Sequence, residues 1–342
     1  MNFMKTSAKG ILLALLVALV SYGLTNLLDL NFLSPGVFAL LLGMVLNPYL
    51  KNPASFSRGL TFTSKKILKF AIVLMGLGLS FTQIFAVGKF SLVVMVFTLT
   101  AAFLGGYLLG KLLKMPWKLT SLISAGTGIC GGSAIAAIAP VIEAKDEHVA
   151  YGISATFIFD VLMVVLFPLM GRALLLSDLG FGLWTGTAVN DTSSVVAAAY
   201  AFSDAAGQFA VIVKLTRTLS IVPVVLIFSF LHERMERKNL EGTSSGSLGR
   251  KKVDLRKIFP FFILFFLFMV ALKSTGWVPA SLTESLTSLS KFLMVMSLGS
   301  IGLKTSFKKM RQAGLKPLLH GFLISTLVVV VSLLVQQFLG QI

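Results

Sequence analysis

Eleven apolar stretches recur along these 342 residues, each close to the ~20 residues that cross ~30 Å of hydrocarbon as a helix. They fall at roughly 10–29, 33–50, 66–87, 90–112, 118–141, 149–173, 180–202, 205–231, 258–275, 285–303 and 317–340. With 56% hydrophobic residues and 13% charged, against about 25% charged in soluble domains, a water-soluble globule is excluded. The runs do not alternate polar with apolar, which excludes an outer-membrane barrel. The 30 glycines and 29 phenylalanines suit tight helix contacts in lipid and a bulky apolar exterior. The expected fold is an all-α polytopic membrane protein of about eleven transmembrane helices. It forms one domain over 1–342, with an extra helix at 10–29 ahead of two repeats at about 33–175 and 180–340.

The net charge of +17 comes from 30 Lys and Arg against 13 Asp and Glu. In a soluble chain that balance would suggest nucleic acid. Here, with the amino terminus cytoplasmic, 24 of the 30 basic residues fall in inside loops, among them Arg172, while Lys145 falls outside. The excess is therefore a positive-inside signal, with an added attraction to anionic lipid headgroups and no nucleic-acid partner. The carboxyl terminus is then outside. The first run has a basic start like a signal peptide, but no small-x-small cleavage site follows at Ser21 to Asn26, so it is expected to remain a helix. The stretch 233–257, Gly/Ser-rich in its middle, reads as a cytoplasmic connector. Its one cysteine, Cys130, excludes a disulfide framework and a cysteine-based metal site, and no metal or cofactor is expected.

Two internal likenesses stand out. Val73–Phe81 resembles Val295–Phe307, and the odd offset of seven from the third span to the tenth would make the two copies inverted, as in many secondary transporters. Gly126-Thr-Gly-Ile-Cys-Gly-Gly-Ser-Ala-Ile-Ala-Ala-Ile-Ala139 matches Gly186-Thr-Ala-Val-Asn-Asp-Thr-Ser-Ser-Val-Val-Ala-Ala-Ala199 without a gap. An eleven-span topology makes that second pair parallel and leaves their likeness without an account. Gly126, Gly128, Gly131 and Gly132 within seven residues weaken a helix by up to ~1 kcal/mol each. Freed backbone in hydrocarbon is tolerated only beside protein or a water-filled cavity. A helix break between Gly128 and Ser133 is the expectation, in competition with simple close packing through small residues.

Four ionisable residues sit deep in spans: Asp160, Asp191, Lys214 and Arg217. Each costs ~2.5–3.5 kcal/mol at a helix centre, so they should face a cavity or one another. Lys214 and Arg217, three apart, share a helix face. They read either as an anion clamp or as a structural ion pair with the aspartates. The run Asn190-Asp191-Thr192-Ser193-Ser194 reads as the lining of a polar site where a helix restarts, and equally as a helix cap. Asn190 and Asp191 are expected to line a mid-membrane cavity. His148, His232 and His320 lie near span ends and are weak proton-relay candidates.

Enzyme signatures do not appear. His232-Glu233 lacks a second His four residues after the first, and no Gly-x4-Gly-Lys-Ser/Thr loop is present. Neither aspartate sits in a Gly-x-Gly-Asp context, so intramembrane proteolysis is disfavoured.

Gly128-Ile-Cys-Gly-Gly-Ser-Ala-Ile-Ala-Ala-Ile-Ala-Pro140, Met75-Gly-Leu-Gly-Leu-Ser80 and Ala188-Val-Asn-Asp-Thr-Ser-Ser-Val-Val-Ala-Ala-Ala199 together resemble the YeiH-like sulfate exporter family of bacterial inner-membrane proteins. That family is distantly similar to sodium/bile acid symporters and cation/proton antiporters. The resemblance covers nearly the whole chain and implies inverted five-helix repeats, a core and a panel domain, and two discontinuous helices crossing at mid-membrane. It implies that the crossing pair is the Cys130–Ser133 span and the Ser297–Gly302 span. Asn190 stands where the family often has His, which puts a proton-coupled role for that position in doubt.

The expected function is a secondary transporter, an exporter of a small anion such as sulfate or an organosulfonate. Thr127, Cys130, Gly131, Gly132, Ser133, Asn190, Thr192, Ser193, Lys214 and Arg217 would hold the anion, and Asp160 or Asp191 would carry H+ or Na+. The alternatives are a cation/proton antiporter using the aspartates and a non-transporting sensor or assembly subunit. Membrane lipids are expected partners, and a homodimer is compatible with such a chain.

Overall fold

A computed structural model describes residues 2–27, 35–50, 53–240, 261–305 and 314–341. Helix dominates because every long run is apolar and, in hydrocarbon, a helix satisfies its own backbone. Six described helices are long and apolar enough to cross a membrane: Ser7–Thr25, Val87–Leu112, Glu147–Ala173, Asp204–Met235, Ala280–Lys304 and Leu315–Phe338. The chain is an all-α polytopic membrane protein.

The elements are α1 (Asn2–Leu27), α2 (Pro35–Leu46), α3 (Pro53–Phe62), α4 (Leu68–Met75), α5 (Phe81–Thr100), α6 (Gly106–Leu112), α7 (Trp117–Ala125) and α8 (Gly132–Ile138). They continue as α9 (Asp146–Ala173), α10 (Asp178–Ala188), α11 (Thr192–Phe202), α12 (Asp204–Leu219) and α13 (Ile221–Leu240), then α14 (Phe262–Ser274), α15 (Ala280–Lys304) and α16 (Leu315–Phe338). Single π-helical turns join α3 to α4, α5 to α6 and extend α7. The third segment thus begins at Pro53, a residue suited to a first helical turn, and Lys65, Lys66 and Lys69 lie within the helical run and not in a loop. The connector expected at 233–257 continues α13 to Leu240, and its remainder lies outside the described residues.

The helices group into two bundles. One packs α1, α2, α3 and α4 with α14 and α15; the other packs α5 to α12 with α16. In the first, glycine lets α2 and α15 touch backbone to backbone: a Cβ at Gly302 would sit 2.1 Å from the Leu40 carbonyl oxygen. That contact explains the Gly-rich motif of 295–307. It serves close packing, α15 runs without interruption from Ala280 to Lys304, and the crossing partner implied at Ser297–Gly302 is corrected accordingly.

Two of the eleven expected spans do not traverse. The segment from Trp117 enters, turns at Gly131 and returns, bringing Lys118 Nζ to the Glu143 carbonyl at 3.0 Å and Ile135 against Gly126. The segment from Asp178 does the same around Val189–Asp191. Ser203 Oγ donates to Asp178 Oδ1 at 2.6 Å, and Phe181 stacks on Phe202 at 4.1 Å. Between them runs α9, whose 28 residues extend about 42 Å at 1.5 Å per residue. Because one full crossing separates them, the hairpins enter from opposite faces. The likeness of 126–139 to 186–199 is thereby an inverted pair, a shorter unit than the repeats expected over 33–175 and 180–340. Lys145 lies with Lys118 at the face where α1 begins, and Arg172, which donates to the Ala201 carbonyl, lies at the opposite face. Both are reversed from the eleven-span reading.

Candidate functional site

The hairpin tips meet. Gly131 adopts φ 63°, ψ −133°, a conformation for which glycine is suited, and a Cβ there would approach Asp191 Cβ to 3.3 Å. In the second hairpin α10 ends with Val189 extended, and α11 restarts with Asp191 as its cap. Asp191 Oδ2 accepts from Ser193 N–H at 2.9 Å and from the Ser193 hydroxyl, satisfying a free helix N-terminus. The helix break expected between Gly128 and Ser133 is present.

Asp160, on α9, holds the second tip. Its two carboxylate oxygens accept the backbone N–H groups of Asn190 at 2.8 Å and Asp191 at 3.0 Å. Thr156, one turn earlier on the same face, also borders the site. Behind the tips α12 supplies the cations. Arg217 Nε donates to the Gly128 carbonyl at 2.6 Å, and its two terminal nitrogens donate to the carbonyls of Thr127 and Thr187. Lys214 Nζ donates to Ile129 O at 2.8 Å and Val189 O at 3.1 Å. These five carbonyls are the orphans left where α7 and α10 stop, and cations are favoured at such helix ends.

Register across the likeness carries Thr127 onto Thr187, and one guanidinium bridges their carbonyls. Their hydroxyls also face α16: Thr127 Oγ1 lies 3.5 Å from Ser325 Oγ, and Thr187 Oγ1 bonds Ser332. Asn190 Nδ2 donates to Ser325 at 3.3 Å. The serine pair, seven apart and so on one helix face, was legible as a polar stripe in an apolar run.

A cavity of about 1050 Å³ lies between the bundles. It runs from Lys65, Lys69 and Lys304 at the face where α1 begins to Asp160 and Asp191 at the hairpin tips. Of the expected site residues it gathers Cys130, Gly132, Ser133, Asp160, Asp191, Thr192 and Ser193. It does not gather Thr127, Asn190, Lys214 or Arg217, all buried, and Gly131 forms the tip contact behind it. The expectation that Asn190 lines the cavity is corrected: its amide turns into the protein toward α16. Lys214 and Arg217 form neither an open anion clamp nor an ion pair with the aspartates, because their donors are directed at helix-end carbonyls. The mouth lysines are residues that sequence reasoning assigned only to topology.

The family model described as conserved hypothetical protein 698 matches residues 9–321. The chain belongs to that family. It is 61% identical to a UPF0324 membrane protein of Clostridium tetani over 100% of both chains. It is 40% identical to a UPF0324 membrane protein of Streptococcus pneumoniae over 99% of both. The sodium proton antiporter MjNhaP1 of Methanocaldococcus jannaschii aligns over 99% of this chain and 98% of its own, at 13% identity and a TM-score of 0.31, too low to bear on fold or function.

Proposed function

We propose that this family member is a secondary transporter working by alternating access. Asp160 and Asp191 take up and release the coupling proton or cation, and a small anion is the cargo. The observation that carries the reading is the cavity between two bundles, ending at two carboxylates, Asp191 on the tip of the second hairpin and Asp160 on α9 beside it. Intramembrane carboxylates beside a cavity mark ion pathways, and broken helices meeting between inverted elements supply transporter sites. Lys65, Lys69 and Lys304 at the mouth, with hydroxyls of Ser133, Thr192 and Ser193 below, favour an anion over a neutral solute. Sulfate and organosulfonates are the anions to try first. Lys214 and Arg217 brace the hairpins from behind and offset the charge of the aspartates. The basic loops orient the cavity mouth and the amino terminus to the cytoplasm of a bacterial inner membrane, with the carboxyl terminus outside.

The test uses purified protein in liposomes loaded with a pH indicator and given an inward or outward gradient of sulfate, a short organosulfonate or sodium. Anion-dependent proton movement, lost in Asp191→Asn and Asp160→Asn, is the expected result. Sodium-driven proton movement that ignores every anion would establish the cation/proton antiporter instead, a reading the same carboxylates favour. No flux with any ion would remove the transporter reading.

A further inference from the structure

Past the hairpin tips the seam between the bundles is shut. Val196 of α11 shares an apolar cluster with Met75 of α4, and Ala197 shares another with Val37 and Leu298. Tyr200 Oη donates to Met75 Sδ at 2.6 Å, and Lys291 of α15 pairs with Asp204 of α12 at 2.6 Å. Each contact joins the hairpin bundle to the other. The arm of the first hairpin bordering the open cavity presents Gly132, Ser133, Ala136, Ala137, Pro140 and Val141. Sixty positions on, the gap-free register gives Thr192, Ser193, Val196, Ala197, Tyr200 and Ala201. The first two border the cavity floor, and the other four lie in the closed seam.

We propose that a second access route opens from the opposite face along Val196, Ala197, Tyr200 and Ala201, and that Tyr200–Met75 and Asp204–Lys291 are the latch that holds it closed. The inference rests on the alternating-access reading and names the surface that reading requires. The chemistry suits a seam that parts. Val196 and Ala197 are small, so parting them uncovers little apolar surface, and Asp204–Lys291 is partly exposed, so solvent and salt weaken it. Hairpins inverted about one guanidinium present equivalent faces to opposite sides, so what one face does in the present state the other does in the exchanged state.

The single cysteine allows a direct test. In a Cys130→Ala background, cysteines at Ala137, Ala197 and Ala198 are exposed to a membrane-impermeant maleimide from either face of oriented vesicles. Ala198 is buried within the hairpin bundle and serves as the inaccessible control. Ala137→Cys is expected to label only from the cavity face. Ala197→Cys is expected to label only from the opposite face, up to about five-fold faster when Asp204→Asn or Lys291→Gln removes the ion pair, the shift that losing a surface pair permits. The charge-exchanged pair Asp204→Lys with Lys291→Asp should return labelling to its original rate. Labelling of Ala197→Cys no faster than Ala198→Cys in both single latch variants, or from the cavity face alone, would overturn the proposal. Flux is not the readout, so a chain that moves no ion still tests the seam. A shut seam beside intact flux would remove the latch and leave the transporter reading standing.

Discussion

Arg217 combines full burial with three carbonyl partners from two separate hairpins. Arg217→Lys keeps the charge and loses the fork, orphaning at least one buried carbonyl at ~1–3 kcal/mol each. Thermal unfolding in detergent should show a clear fall in Tm for this variant, and retention of the wild-type Tm would mean the carbonyl bonds contribute little. The aspartates separate differently. Asparagine caps helices as well as aspartate does, so Asp191→Asn should keep stability within about 0.5 kcal/mol while losing its ionisable group. Asp160→Asn puts an amide N–H2 against a backbone N–H of the second tip, and should lower Tm as well as activity. Comparing the two melting curves checks this ordering. The charge of these four residues within apolar runs was legible. Their partners were not, because carbonyls as the targets of Lys214 and Arg217 exist only where two hairpins end side by side.

At the level of the element, glycine does two unlike things. Gly131 turns the chain at φ 63°, and Gly302 brings two helices into backbone contact. Gly131→Ala should destabilise by ~1–3 kcal/mol through backbone strain, with the tip contact to Asp191 tightened further. Gly302→Ala should do more harm than Gly299→Ala. The first places its Cβ 2.1 Å from a Leu40 carbonyl oxygen, the second 2.8 Å from a Val17 methyl group that can turn away. Ranking the three by Tm decides it: equal losses at 299 and 302 would contradict the close contact. The glycine clusters at 126–132 and 295–302 read alike in sequence. Only the neighbouring helix separates a turn from a packing face, since both need the missing side chain.

Across the whole molecule, hairpins in place of two spans change which face several loops occupy without changing that of the carboxyl terminus. In the Cys130→Ala background, Lys145→Cys should label from the same face as Lys114→Cys, and Arg172→Cys from the opposite face. The eleven-span topology predicts the reverse for both. The same removal of two crossings explains why the 186–199 copy of the 126–139 motif is inverted, and it sets both tips at one depth, where the cavity ends.

Membrane class, helical content, the depth of Asp160, Asp191, Lys214 and Arg217, and the break at Gly128–Ser133 follow from residue type and spacing, because the cost of charge and free backbone in hydrocarbon is local. Whether an apolar segment of about 22 residues crosses or turns back depends on what meets its tip. Here α9, α12 and α16 supply a carboxylate for the free N–H groups, two cations for the free carbonyls and a serine stripe for the hydroxyls. Those partners lie 25 to 198 residues away in sequence, a distance that no local pattern encodes, so the hairpins, the two-bundle seam and the cavity between them were decided by the tertiary structure alone.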